Sequence, residues 1–394
     1  MNGSTSRRSM TSARLFTQIC SFLLATSFAC AQAAPQTHIS ELSTVQSGSI
    51  AASPEDSATA EKGIKEQSAT TEDQQAKGSS ADNDKPVSKD QIHNPVLWSD
   101  PGKIDERNLF YGQGGEKHQP KPPFTFVSED MSGTNPKFDV RDADGKKWRV
   151  KLGEESRPEV VASRLLWAVG YFANDDYVLP EATVDGLKMH RKSDNAKGEQ
   201  ITYARFARKP GGQDKIGIWE WKGNPFSGTR EFNGLRVMMA VMNNWDLKDV
   251  NNAVYEDKKN GHQIFLANDV GATFGTNGLS WTRARSKGNV GSFKGSKFIT
   301  RLTDTEVDFA TPAAPNALLA ETGGFGIVPY AKRADLDWIG NGIPRTDARW
   351  IGSLLAQLTH QQLVDAFRAG SFPPDVIDMY VALVESRIAE LKAL

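Results

Sequence analysis

The sequence predicts an α+β fold of two lobes. Two observations lead there: short alternating apolar runs joined by turn residues fill the first half of the folding region, and capped helical periodicities fill its end. A third observation sets where folding begins. Residues 34–95 are rich in Ser, Ala, Thr, Glu, Asp, Gln and Lys and hold no aromatic residue, so they read as a disordered spacer before a domain at 96–394. The sheet-rich first lobe is expected at about 96–225 and the mainly helical second lobe at about 226–394. The formal net charge of −1 over 394 residues argues against a nucleic-acid-binding surface spread over the protein.

Ahead of the spacer, Arg7, Arg8 and Arg14 precede an apolar run at 15–29, followed by the small-x-small string Ala31-Gln32-Ala33. This reads as a signal peptide over 1–33 and predicts an exported protein, periplasmic or secreted. Both cysteines, Cys20 and Cys30, lie inside that segment, so the mature chain would carry no disulfide and no thiol chemistry. Membrane attachment would need lipidation of Cys30 or an uncleaved leader.

In the first lobe, 124–127, 137–141 and 147–152 alternate in strand fashion, with Asp144-Gly145 as a hairpin turn. They predict an antiparallel sheet. Pro158 suits the opening of a helix, with Glu159 complementing its dipole and Val161, Leu165, Ala168 and Phe172 at helical spacing. Strands are expected again at 177–179 and 181–184, and Trp219 and Trp221 alternate in another, where packing is their expected role. A second helix is predicted over 232–245, followed by a short strand at 264–266. At the end, 349–358 reads as a helix. Thr359 with Gln362 forms a capping box for the next, Gly370 ends it, and Pro373-Pro374 opens the last.

The chemistry-bearing residues fall in order. Asp246, Lys248 and Asn251 form a D-L-K-x-x-N string, and Asp269-Val270-Gly271 follows the strand at 264–266. Phosphoryl transfer needs an acid to orient a hydroxyl, and an amide and a second acid to hold magnesium against phosphates. Asp246 suits the first role, Asn251 and Asp269 the second, and Lys248 could stabilise the moving charge. Gly271 would give the backbone room to turn. Upstream, Ser132, Gly133 and Lys137 lie in a turn (Ser-Gly-Thr-Asn-Pro-Lys) between two predicted strands, where backbone amides and the lysine could cradle phosphates. Lys151 would grip the nucleotide phosphates with Glu159 as its ion-pair partner, Glu154 and Glu155 being rivals for that place.

Together the 132–137 turn, Lys151, the 246–251 loop and 269–271 resemble the HipA-like and phosphatidylinositol 3/4-kinase-like branch of the protein-kinase-like fold. The resemblance covers roughly 124–275. It implies an ATP- and Mg2+-dependent phosphotransferase acting on a hydroxyl-bearing acceptor, with Asp246 as base, Asn251 and Asp269 as metal ligands and Lys151 as nucleotide lysine. One departure is Lys248, where that branch usually carries histidine.

Arg283, Arg285, Lys287, Lys294, Lys297 and Arg301 follow the metal-site acid and could attract an anionic substrate or form a solvated loop. The string 111–115 (Tyr-Gly-Gln-Gly-Gly) reads as a loop, or as a cover for a nucleotide. The six histidines show no zinc spacing, and no G-x-S-x-G elbow is present. Alternatives to a kinase are a silent kinase-like scaffold and an envelope glycan-binding protein.

Overall fold

Strands β2 (Phe124–Asp130), β3 (Lys137–Arg141) and β4 (Lys147–Lys151) follow the alternation in the sequence. The structure, a computed structural model, describes residues 84–133, 135–208, 211–276, 285–311 and 336–394. The expected leader, the spacer up to residue 83 and Arg283 lie outside them. No helix among the described residues is long and apolar enough to cross a membrane.

β2, β3 and β4 pair antiparallel as expected, and the sheet they belong to closes into a barrel of mixed direction. β2 pairs in parallel with β5 (Asp175–Asp185), which pairs antiparallel with β7 (Gln200–Arg208). β7 then pairs with β4, closing the ring β4-β3-β2-β5-β7, and the short β6 (Ala196–Lys197) flanks β7. Closure removes exposed strand edges. Inward-facing Phe124, Phe138, Val140, Trp148, Val150, Ile201, Ala204 and Phe206 fill the interior. The alternate positions of β4 and β7 face outward.

Helix α1 (Ser156–Ala168) lies over that outer face, packed against β5 and β7. It begins at Ser156, whose hydroxyl donates to Lys151 O at 2.7 Å, so Pro158 occupies the third helical position. Proline is tolerated there because the first-turn N–H groups have no partner within the helix. The opposite side of α1 buries Val161, Leu165 and Ala168 in a second, larger core.

That core is built by α2 (Arg230–Met242), α4 (Arg345–Leu355), α5 (His360–Ala369) and α6 (Pro374–Lys392). Helix α2 ends three residues before its predicted end at Trp245. Asn243 takes the left-handed region at φ 54°, its N–H closes on the Ala240 carbonyl, and the turn stops the helix. The Thr359–Gln362 capping box forms as expected, and Gln362 Nε2 also donates to Ile104 O at 2.7 Å.

The second half holds more strand than predicted. β1 (Pro95–Val96), β10 (Gln263–Ala267), β9 (Asn252–Asp257) and β8 (Gln213–Gly217) form a four-stranded sheet. Beyond α3 (Val290–Lys294), β11 (Ile299–Leu302), β12 (Glu306–Phe309) and β13 (Ile343–Pro344) form a smaller one. Trp219 and Trp221 lie past the end of β8 rather than in a strand. Both are buried with ring centroids 4.9 Å apart, and Trp219 Nε1 donates to Leu266 O, so they serve packing. Residues 85–87 of the polar stretch already bridge to Ile218.

Candidate active site

The cross-strand register builds the site. Lys137 of β3 stands opposite Lys151 of β4, and Lys151 stands opposite Arg205 of β7. Directly opposed residues share a face, so three cations form a row on the outside of the barrel. Like charges so placed repel unless anions intervene, and helix α1 supplies the anions.

Glu159 of α1 is buried between two of the cations. Its Oε2 accepts from Lys151 Nζ at 2.9 Å, and its Oε1 lies 3.3 Å from Arg205 Nη1. Arg205 also donates to Asp176 Oδ2 at 2.8 Å, and Asp176 is held in turn by Ser163 Oγ and by Arg164 Nη1, each at 3.1 Å. Burial pushes the Glu159 carboxyl upward against Arg205 and Lys151. Burial also opposes the Lys151 charge, but Glu159, Asp269 and Glu155 outweigh it and raise its pKa. The expected Lys151–Glu159 pair is therefore present, and Arg205 fixes it from behind.

Asp269 arrives from the second sheet. Its Oδ1 accepts from Lys151 Nζ at 2.6 Å across 118 residues of sequence. Its side chain remains 46% exposed, so the carboxylate is open to a further ligand. Burial works against its charge, yet Lys151, Arg205 and Lys137 hold its pKa below the usual carboxylate range. The left-handed residue of this turn is Asp269 itself, at φ 42°, and not Gly271. Gly271 does something else. A Cβ there would sit 2.7 Å from Glu155 Cβ and 3.1 Å from Glu159 Oε2, so glycine lets the strand end seat against the two glutamates.

Glu155, named as a rival to Glu159, is a second partner rather than a substitute. Its Oε2 lies 2.6 Å from Lys151 Nζ, Asn135 Nδ2 donates to it, and Lys287 pairs with its other oxygen. Lys287, expected to face an anionic substrate or solvent, is thus turned inward. Arg301 is likewise engaged, by Asp308 and Glu306.

The residues expected to cradle phosphates are held from outside. Arg191 donates to the carbonyls of Ser132, Gly133 and Asn135 at 2.9 to 3.2 Å, and Ser132 N donates to Asp130 Oδ1 at 2.9 Å. Lys137 Nζ lies 3.9 Å from Asp130 Oδ2 and within 3.3 Å of where a Gly133 Cβ would stand. The 111–115 loop packs on the buried network: a Cβ at Gly112 would fall 2.5 Å from the Arg164 guanidinium.

The Asp246 loop forms its own hydrogen-bonded turn. Asn251 Nδ2 donates to Asp246 O at 2.6 Å, which turns the amide oxygen away from that bond. Lys248 Nζ lies 2.8 Å from Asp246 Oδ1. Asn252, the next residue, faces Ala267 across β9 and β10, so the loop and the Asp269 turn leave the same end of one hairpin. Asn243 Nδ2 donates to Gly275 O and Phe274 N to Met242 O, which joins the loop's stem to the irregular segment beyond Asp269. Arg387, buried between Phe293 and Phe298, donates to Ala240 O, Val241 O and Asn243 Oδ1 and anchors that stem.

Sequence reasoning missed Arg205, Asp176, Arg164, Asn135, Asn243 and Arg387. A faint signal existed for Arg205, a charge inside the otherwise apolar run 204–207.

No protein-family model matches the chain, and no curated protein matches it. A crystal structure of a Helicobacter pylori proinflammatory kinase, CtkA, is similar at a TM-score of 0.38 and 8% identity, covering 68% of this chain and 95% of that one. At that score the likeness carries no argument, and the functional reading rests on the site.

Proposed function

We propose that this protein is an exported kinase-like phosphotransferase with the two-lobed arrangement of that fold, moving the γ-phosphoryl group of ATP to a hydroxyl. The observation that carries the reading is the convergence of Lys151, Glu159 and Asp269, from β4, α1 and the end of β10, on one contact cluster. A lysine fixed by a helix glutamate and placed beside a half-exposed carboxylate is the arrangement that grips a magnesium polyphosphate.

The residues fit that ligand. The row Lys137, Lys151, Arg205 lines up three cations, of which Arg205 at the buried end is neutralised by Glu159 and Asp176 while Lys137 stands at the cradle turn. Asp269 and the Asn251 amide oxygen would hold Mg2+, a hard cation suited to one or two protein oxygens plus phosphates. When bound, magnesium supplies charge neutralisation at the phosphate oxygens. Lys151 positions the phosphates, Asp246 orients the acceptor hydroxyl and takes up its proton, and Lys248 holds the Asp246 carboxylate in place.

The test is transfer of label from γ-labelled ATP to material added from the cell envelope. Labelling that vanishes in Asp246→Asn supports the reading. Nucleotide binding without transfer by the wild type moves it to a silent scaffold, and absence of nucleotide binding removes it.

A further inference from the structure

Lys151 has more counterions than a phosphate-gripping lysine needs. Glu159 is a permanent partner, because its other oxygen is held by Arg205 and its helix is packed on both sides. Glu155 is different. It precedes α1, and its side chain alone joins three segments: Asn135 of the cradle turn, Lys151 of β4, and Lys287 beyond the Asp269 turn. We propose that Glu155 is a displaceable counterion that latches the unliganded site, tying Asn135 down over Lys151 until a polyphosphate draws the lysine away.

This rests on the reading that Lys151 receives phosphates. Three facts favour Glu155 as the group that yields. Glu155 and Asp269 crowd the same ammonium, each at 2.6 Å, and repel one another. Release from Lys151 does not strand a buried charge, since Lys287 remains on the other carboxylate oxygen, and an unpaired buried charge is the costly outcome. The backbone need not move, because Glu155 meets Asn135, Lys151 and Lys287 through its carboxylate alone, so side-chain torsions suffice to release Lys151. The latched state lowers apparent affinity by the fraction of molecules that are open, and a variant lacking the latch recovers it.

The experiment uses the full chain, titrated with magnesium ADP by calorimetry, alongside hydrogen exchange of the 131–137 peptide without nucleotide. Variants are Glu155→Gln, which keeps size, and Asn135→Ala, which changes no charge. The latch predicts about tenfold tighter ADP binding in both, with faster exchange over 131–137 in both. Tightening in Glu155→Gln alone would mean simple removal of a negative charge and overturns the latch. Unchanged or weaker binding in both overturns it as well. If neither wild type nor variants bind nucleotide, the kinase reading has failed and the latch, which needs a polyphosphate to release it, falls with it; binding that is present but unchanged in both variants overturns the latch alone.

Discussion

Lys151 lies directly opposite Arg205 across the seam where β4 meets β7, and the two share the Glu159 carboxylate, one oxygen each. The seam that closes the barrel therefore also builds the site. A buried pair of this kind contributes little net stability over an apolar substitute, but breaking it from one side leaves charges without partners.

Lys151→Met should therefore destabilise the fold by about 3–5 kcal/mol, because Glu159, Glu155 and Asp269 lose their common cation. Urea unfolding of wild type and variant measures it. A change below about 1 kcal/mol, the range of surface pairs, would show that the cluster is solvated.

Gly271→Ala tests the seating of the Asp269 turn. The added methyl meets Glu155 Cβ at 2.7 Å and backbone at 3.1 Å, so overpacking should cost about 1–3 kcal/mol. Magnesium nucleotide should bind more weakly as the turn backs away. A neutral effect on both would mean that the turn is not seated on the glutamates.

Asp246→Asn should bind nucleotide like the wild type and lose transfer by about 10²–10⁴-fold, the size of a general-base contribution. Lys248→Met should lose less, since it acts on Asp246 from an exposed position. Equal losses in binding and transfer would assign Asp246 to the nucleotide instead.

The pH dependence has a definite sign. Lys151, with Arg205 and Lys137, outweighs burial and depresses the folded pKa of Asp269. Its contribution is then whole above the unfolded value of about 4 and is lost as pH falls through the lower folded value. Melting temperatures of Asp269→Asn should fall less steeply than those of the wild type below about pH 4. Parallel curves would show that Asp269 is not held by Lys151.

The sequence made the local parts of this site legible. The alternation around Lys151, the apolar strand before Asp269 and the Asp246–Asn251 spacing were enough to name residues that meet across 118 positions. What it hid depends on closure. The parallel β2–β5 pairing and the β4–β7 seam join residues 54 to 60 positions apart, and no local pattern encodes which edges meet. Arg205 and Asp176 became site residues only through that seam. Lys287 read as part of a basic loop facing an anionic substrate or solvent because charge runs do not reveal which member turns inward. The C-terminal caps were legible because proline, glycine and a capping box act within a single turn.

The most direct measurement is the unfolding free energy of the full chain with and without magnesium ADP. At about 100 times its Kd, nucleotide should add about 2.7 kcal/mol to the wild type and nothing to Asp269→Ala. Stabilisation by no nucleotide, or an equal gain in Asp269→Ala and without magnesium, would contradict a metal-nucleotide site at Lys151 and Asp269.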